Sequence, residues 1–402
     1  MRTLPRPLLL LLLAVLVLAI AIPLTSCRPK PTPPPGTGPT GTTGPSTSSA
    51  PASGEPIKIG AILPLTGDAA AYGKSAREGM ELALSDLNAR GGVGGRPLSV
   101  VYEDSKGSPK DGVAGFDKLA TQDHVPAVVG DLLSSVTLAV APAAERRRVV
   151  LLSPTSTAPA LSDAGDFIFR NCPSDVYEGK VMADYATADL HLKNVGILAV
   201  ANDYGNGIAA VFKAAFAAQG GSVPVEETYP QGATDVRAQL TKLSAARVEA
   251  IYLVGYKELG RILKQAAELR VVARYLSTVM FEDPEVLSTA GPAAEGVVYS
   301  SPSFDINSDE PTVKAFRERY QAAYARSPDI FAAASYDAVG IIGKAMASGA
   351  TTGDAIRDAL YATRDYPGVI GSTSFDAKGD ATQPAVLKTI EGGSPVRLVA
   401  PG

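Results

Sequence analysis

The feature that most constrains this chain is a repeated alternation of short apolar segments with segments of helical periodicity. Predicted strands lie at residues 57–63, 98–102, 127–129, 149–152, 195–200, 250–254 and 275–278. Apolar residues at helical spacing fill the intervals, as in Met80, Ala83, Leu84 and Leu87 before the stop at Gly91-Gly92. Apolar strands that alternate with amphipathic helices predict parallel sheets covered by helices. The predicted fold class is therefore α/β, with doubly wound sheets.

The same structural unit occurs twice. A helix, two glycines and a strand follow one another at residues 76–102 and again at 208–228. A folded part of more than 300 residues is too long for one typical hydrophobic core. The sequence therefore predicts two similar α/β lobes. Because open parallel sheets bind ligands beyond the carboxyl ends of their strands, the loops that follow the strands are the candidate binding site.

The N-terminus has the pattern of an export signal. Arg2 and Arg6 precede an almost unbroken apolar run over residues 8–22, which is too short to span a bilayer. A positive region, an apolar region and small residues before a cleavage site predict a secretory signal over residues 1–26. The segment Leu24-Thr25-Ser26-Cys27 resembles the lipobox of bacterial lipoproteins. This resemblance implies lipidation of Cys27 and anchoring to a membrane on the periplasmic or extracytoplasmic side of the cell envelope.

Cys27 and the residues up to 54 are predicted to form a tether. Of the 27 positions from 28 to 54, 23 are Pro, Gly, Ser or Thr, a composition that buries too little apolar surface to offset its ordering entropy. Cleavage after residue 26 removes two arginines and moves the formal charge from −4 to −6. A mildly acidic chain lacks the basic footprint of nucleic-acid binding. Cys172 is then the one unlipidated cysteine, so no intramolecular disulfide is expected.

Short motifs at the ends of the predicted strands carry a family resemblance. In chain order they are KIGAILPLTG (58–67), AYG (71–73), NARGGV (88–93), VGDLLSS (129–135), SPTST (153–157), DYG (203–205), GY (255–256), AEG (294–296) and FDAKGD (375–380). This ordered set, from residue 56 to about 392, resembles the branched-chain amino-acid binding proteins, which are periplasmic receptors of ABC importers. The resemblance implies the type I periplasmic binding protein fold, with two Rossmann-like lobes joined by three crossing strands.

The resemblance also implies the lobe boundaries. The crossings are expected near Cys172–Asp175, Ser300–Phe304 and Val369–Ser374. Lobe one then comprises residues 55–172 plus 304–370, and lobe two comprises residues 173–303 plus 371–402.

By resemblance, polar groups after two strands form the ligand site. Ser134 and the Thr157 backbone would hold a carboxylate, while the Thr157 hydroxyl and the Thr155 carbonyl would accept from an ammonium. A helix N-terminus such as the one at Ser134 also favours an anion physically. Ser135 is interpreted as a helix cap, and Asp175 as a cap at the hinge. The aromatic walls of the cleft are predicted from Tyr72, Tyr204, Tyr256 and Phe331.

The sequence departs from the family pattern at one position. Relatives that bind amino acids place an acidic residue after the strand at 275–278, whereas this chain has Val279. Because a buried ammonium without a counter-charge is costly, the sequence favours a small carboxylate or polar neutral solute with an apolar body. Branched-chain amino acids remain the alternative, since Glu282 or Asp283 could supply the charge. Val279 and Glu282 are therefore further candidates for ligand contact.

Catalytic and metal motifs are not indicated. His124 and His191 have no metal-ligand partner at useful spacing, and the chain has neither a Gly-x-Ser-x-Gly elbow nor a phosphate-binding Gly-x-x-x-x-Gly-Lys-Ser/Thr loop. Residues 305–309 begin like a calcium loop, but Glu310 and Phe316 replace its required Gly and Glu. We expect no enzyme activity, catalytic residue, metal or cofactor. The expected partners are a small-molecule solute and the ABC permease subunits of the inner membrane. A separate membrane receptor is the partner if the chain is instead a ligand-sensing subunit.

Overall fold

The computed structural model describes residues 51–398; the predicted signal, Cys27, tether residues 28–50 and residues 399–402 lie outside them. The first sheet has five parallel strands in the order β2-β1-β3-β4-β5. They are β1 (Ile57–Leu63), β2 (Leu98–Asp104), β3 (Ala127–Gly130), β4 (Val150–Ser153) and β5 (Ile168–Arg170). Helices α1 (Ala70–Ala89), α2 (Pro109–Thr121) and α3 (Ser134–Arg147) alternate with them. Every residue of β3 and β4 is buried, which explains their continuous apolar sequences.

The second sheet is built in the same way. Its parallel strands are β6 (Val195–Val200), β7 (Glu226–Tyr229), β8 (Ala250–Val254), β9 (Arg274–Ser277) and β10 (Val298–Pro302), in the order β7-β6-β8-β9-β10. The accompanying helices are α4 (Asp175–Asp184), α5 (Asp203–Ala218), α6 (Arg237–Ala245), α7 (Glu258–Glu268) and α8 (Pro284–Ala290). Position by position this is the strand order of the first sheet. The internal repeat predicted from the sequence is therefore present as two doubly wound α/β lobes.

After β10 the chain returns to the first sheet. Helices α9 (Pro311–Tyr324), α10 (Ile330–Ala347) and α11 (Gly353–Tyr361) follow, and α10 packs along α1. Gly79 permits this approach, since a Cβ there would lie 2.0 Å from the carbonyl oxygen of Ala332. We call the first sheet with α1–α3 and α9–α11 lobe one, and the second sheet with α4–α8 lobe two.

Helix α10 is the one helix within residues 51–398 whose length and apolar composition would suffice to cross a membrane. However, 72% of its apolar window is buried inside the protein. It is the core helix of lobe one, and its hydrophobicity is explained by its packing against α1 and β3.

The structure corrects the predicted third crossing. Residues Val369–Ser374 were expected to run between the lobes, but they belong to a hairpin of β11 (Tyr366–Gly368) with β12 (Gly371–Thr373). The chain then stays on lobe one: the Arg170 amide donates to the carbonyl of Gly379, and the Phe375 ring lies 5.4 Å from that of Phe169. It enters lobe two at β13 (Ala385–Glu391), which pairs antiparallel with β10, and continues into β14 (Ser394–Arg397), which pairs antiparallel with β13. Residues 371–381 therefore pack with lobe one rather than lobe two.

Candidate functional site

A cavity lies where the carboxyl ends of strands from both lobes meet. Its volume is about 50 Å³, counted as the space that the centre of a water molecule can occupy. Its lining includes eight residues singled out from the sequence: Tyr72, Ser134, Thr155, Thr157, Tyr204, Tyr256, Val279 and Phe331. These residues follow strands of both sheets or begin α10, so loops from both lobes converge as the strand rule requires. Ser135, Glu282 and Asp283 are absent from this lining.

On the lobe-one side, the N-terminus of α3 points its first residues toward the cavity. The Ser134 hydroxyl does not cap its own helix; it accepts from the amide of Ala158 at 3.3 Å and so ties α3 to the loop after β4. Ser135 was interpreted as a helix cap, and the structure corrects this. Its hydroxyl accepts from the Asp203 amide at 3.4 Å, at the start of α5 in lobe two. The backbone donors of the α3 N-terminus remain suited to an anion.

The two threonines after β4 are held by local hydrogen bonds. The Thr155 hydroxyl donates to the carbonyl of Leu132 at 3.2 Å. The Thr157 hydroxyl donates to Oδ2 of Asp175 at 3.0 Å, and the Thr157 carbonyl accepts from the Asp175 amide at 2.9 Å and from Arg170 at 2.8 Å. Thr157 is therefore positioned through Asp175, a contact between lobe one and the start of α4.

Two aromatic pairs form the apolar walls, one on each lobe. In lobe one, the rings of Tyr72 and Phe331 stack with centroids 4.4 Å apart. In lobe two, Tyr204 and Tyr256 lie 5.4 Å apart, and the Tyr204 hydroxyl donates to Thr278 at 2.8 Å. Aromatic side chains present large apolar surfaces at a low entropic cost. The cavity is thus suited to a small solute with an apolar body.

The acidic residues near β9 do not line the cavity. Val279 lines it, as the sequence indicated, with no carboxyl group. Glu282 instead forms an ion pair with Lys388 of β13, at 2.6 Å. It also accepts a hydrogen bond from the hydroxyl of Ser301 in β10, at 3.2 Å. Asp283 caps α8 by accepting from the Glu285 amide at 2.7 Å. Both carboxyl groups thus have partners outside the cavity, but Asp283 also lies close enough to the Tyr72 hydroxyl to raise its pKa, after the larger effect of burial. Contact of Glu282 or Asp283 with a ligand stays a prediction.

The cavity does contain two acidic residues, Asp175 and Glu178. Asp175 is not the hinge cap that the sequence suggested, because the Ser174 hydroxyl caps α4 by accepting from Val176. Both carboxyl groups line the cavity and are 1% exposed. Burial raises the pKa of Asp175 to about 7, against the lowering effect of the Thr157 hydrogen bond. Burial, and next the charge of Asp175, raise the pKa of Glu178 well above its usual range.

Sequence reasoning missed Glu178, although a signal for it existed. Acidic residues three apart in the first turn of a helix lie on one face, and this helix directly follows the first crossing between the lobes. Neither carboxyl group has a Lys, Arg or His ion-pair partner among residues 51–398. Within the same residues, no three His, Cys, Asp or Glu side chains are grouped to hold a metal ion.

Further contacts join the lobes at the edge of the cavity. The Lys257 ammonium at the start of α7 donates to the carbonyl of Asp68 before α1 at 2.9 Å. Together with the Ser135–Asp203 bond, this closes lobe two onto lobe one around the cavity. The described arrangement is that of two lobes shut over an enclosed, mainly apolar space with polar groups at defined points, which is the character of a small-molecule binding site.

Comparison with known proteins identifies the family. Residues 56–394 match the model of a periplasmic binding protein family. The leucine-, isoleucine-, valine-, threonine- and alanine-binding protein of Pseudomonas aeruginosa is 32% identical over 81% of this chain and 87% of its own length. The branched-chain amino acid transporter substrate-binding protein of Streptococcus pneumoniae, solved with isoleucine, is 33% identical. It superposes with a TM-score of 0.78 over 85% of this chain and 98% of its own.

A leucine-binding protein from Thermotoga maritima gives a TM-score of 0.80 at 28% identity, over 85% of this chain and 98% of its own. These matches confirm the α/β fold of the type I periplasmic binding proteins and the family resemblance read from the strand-end motifs. They also place the chain outside the cytoplasm and among substrate-binding proteins rather than enzymes. The chain belongs to the branched-chain amino-acid binding family of periplasmic binding proteins.

Proposed function

We propose that this chain is the solute-binding lipoprotein of an ABC importer. It captures a small amino-acid-like or carboxylate solute between its lobes and presents it to the permease subunits in the inner membrane. The observation that carries this proposal is that both lobes contribute residues to the same cavity. Lobe one contributes Ser134 and Phe331, and lobe two contributes Tyr204 and Tyr256. A solute that contacts both lobes would bind the closed arrangement more tightly than the open one, and would therefore favour closure.

The proposed contacts follow from the polar groups around the cavity. Ser134 and the donors of the α3 N-terminus would bind the solute's carboxylate, next to the Thr155 and Thr157 loop. The stacked pair of Tyr72 and Phe331 would pack against its apolar body. The isoleucine held by the Streptococcus pneumoniae relative combines these features, a carboxylate and an aliphatic side chain, and supports an amino-acid-like solute.

The proposed anchor rests on the sequence alone. Cys27 after Leu24-Thr25-Ser26 would carry the lipid, and the Pro-, Gly-, Ser- and Thr-rich residues after it would tether the lobes to the membrane. This tether would end before residue 52 rather than at 54, because the amides of Ala52 and Ser53 donate to the carbonyls of Asn88 and Gly95 in lobe one. Three crossings between lobes provide the hinge: residues 171–174, 303–310 and 382–384 lie between elements of different lobes.

A thermal-shift screen of residues 55–402 tests the solute-binding function. The panel contains amino acids, small carboxylic acids, amides and polyols. A solute at 100 times its dissociation constant stabilises the folded state by about 2.7 kcal/mol. We expect a clear rise in melting temperature with at least one amino-acid-like or carboxylate solute, and a smaller rise in the Phe331→Ala variant. If only polyols raised the melting temperature, the proposed solute class would be contradicted.

A further inference from the structure

The carboxyl groups of Asp175 and Glu178 form a pair on the lobe-two side of the cavity. They lie three residues apart in the first turn of α4 and both line the cavity. Oδ2 of Asp175 accepts from Thr157, and Oε2 of Glu178 accepts from Ser300 at 3.1 Å. The other oxygen of each group, Oδ1 and Oε1, is buried and has no hydrogen-bond partner among residues 51–398. Two buried carboxyl groups with one unmatched oxygen each require something more than the protein supplies.

The charges around this pair do not neutralise it. The charged and titratable groups that face it are Arg170, Cys172, Tyr204, Tyr252, Tyr256 and Glu282. Arg170 is the only cation in this set, and its guanidinium is engaged by the Asp380 carboxylate at 2.7 and 2.9 Å. Placing two negative charges in this environment without a cation is costly. The empty site therefore holds at least one proton on the pair near neutral pH.

We propose that Asp175 and Glu178 receive a cationic nitrogen of the solute, such as an ammonium group, in exchange for that proton. When the nitrogen docks, its N–H groups donate to the unmatched carboxyl oxygens and the displaced proton leaves to solvent, so charge in the site is conserved. The counter-charge that amino-acid-binding relatives place after β9, where this chain has Val279, is thus provided from α4 instead. This inference rests on the proposed solute-binding function and makes the solute zwitterionic, with its carboxylate at Ser134.

The position of Thr157 fits this assignment. Its hydroxyl is bonded to Asp175, so the pair lies beside the threonine that the family resemblance assigns to an ammonium. The aromatic rings of Tyr204 and Tyr256 close the lobe-two wall around the same space. A protonated nitrogen over such rings gains a further favourable interaction with their faces.

The first test needs no solute. A carboxyl group whose pKa is raised by folding stabilises the protein fully below its unfolded pKa, and this stabilisation is lost as pH rises through the folded value. For Asp175 the loss runs from about pH 4 to about pH 7, and for Glu178 it continues above that range. Between pH 5 and pH 8, we expect the melting temperature of the wild type to fall by about 4–6 °C relative to the Asp175→Asn/Glu178→Gln variant.

The control is Asp184→Asn, which removes a 44% exposed carboxylate at the other end of the same helix. Its melting temperature should follow the wild-type pH profile. If the wild type and the Asp175→Asn/Glu178→Gln variant had parallel profiles, the pair would hold no proton and the inference would be overturned.

The second test compares solutes that differ by one nitrogen. The probes are leucine against 4-methylpentanoate, and phenylalanine against 3-phenylpropanoate, titrated by calorimetry at pH 6 and pH 8. We expect the amino acids to bind more tightly than their nitrogen-free counterparts. Because one proton is released from a group that titrates near pH 7, their affinity should be about tenfold higher at pH 8 than at pH 6. Asp175→Asn should remove most of this pH dependence, because the carboxyl group that titrates near pH 7 is then gone.

The possible failures are distinguishable. If the nitrogen-free acids bind more tightly, and more so at pH 6, the pair donates a proton to the solute and the inference is wrong, while the solute-binding function stands. If no member of either pair binds at any pH, the proposed amino-acid-like solute fails, and the cation assignment fails with it.

Discussion

Arg170 at the end of β5 is the residue whose replacement most directly tests how the chain is held at the crossings. Its side chain is 1% exposed. The guanidinium donates to both oxygens of Asp380, to the hydroxyl of Ser162 at 2.7 Å, and to the carbonyls of Thr157 and Ala158 at 2.8 Å each. It therefore fixes residues 379–381 on lobe one and orients the Thr157 loop at the cavity.

Arg170→Met replaces the arginine with an unbranched apolar side chain and removes the guanidinium group with its five hydrogen bonds. The Asp380 carboxylate, whose side chain is 10% exposed, is then left without its counter-charge, and the carbonyls of Thr157 and Ala158 each lose a donor. Removing one partner of a buried ion pair typically costs about 3–5 kcal/mol. With an unfolding entropy of about 2.1 cal/mol/K per residue over about 350 folded residues, 4 kcal/mol lowers the melting temperature by about 5 °C.

Urea unfolding followed by circular dichroism measures this loss, and a double variant shows its origin. In Arg170→Met/Asp380→Leu both charges are gone, so we expect at least half of the lost stability to return. The control is Lys180→Met, which removes an exposed ion pair with Asp184 one helical turn away and should cost no more than about 0.5 kcal/mol. If Arg170→Met lost less than 1 kcal/mol, or if the double variant were no more stable than the single one, the reasoning would be refuted.

Two further predictions concern the anchor and the cavity. Cys27→Ala should move the protein from the membrane fraction to a soluble or unprocessed form, as measured by fractionation and immunoblotting; normal processing with full membrane retention would refute the lipid anchor. Phe331→Ala should weaken binding of the best solute from the screen by about 10- to 100-fold in calorimetry, because it removes a ring that lines the cavity and stacks on Tyr72. Phe331→Leu should retain most of the affinity; equal losses in the two variants would show that backbone disturbance, not the apolar wall, is responsible.

The sequence predicted the strands best where burial is complete. The predicted ranges 195–200 and 250–254 agree with β6 and β8, because every residue of both strands is buried and an uninterrupted apolar run shows where each begins and ends. The cavity residues were predictable for a related reason. Each follows a strand end or begins a helix, and the topology of parallel sheets brings such positions together.

The sequence could not predict contacts between distant segments. Arg170 and Asp380 are 210 positions apart, and nothing near either residue indicates the other, so the third crossing was placed too early. The role of Glu282 was missed for the same reason, since its partner Lys388 lies 106 positions away on β13. The carboxyl pair on α4 was overlooked because two acids in a first helical turn are ordinarily exposed and favoured by the helix dipole. Their burial depends on contacts with distant segments, those of Asp175 with Thr157 and of Glu178 with Ser300.

Small-angle X-ray scattering of residues 55–402 tests the central claim, that a solute between the lobes holds them shut. The profile is measured without solute and at saturation with the best solute from the thermal-shift screen. We expect a smaller radius of gyration with solute, and a bound profile that agrees with the closed structure in which Lys257 contacts the carbonyl of Asp68. A matched measurement on Phe331→Ala at the same solute concentration should show a smaller change. Identical wild-type profiles with and without a solute that calorimetry shows to be bound would contradict closure around the cavity.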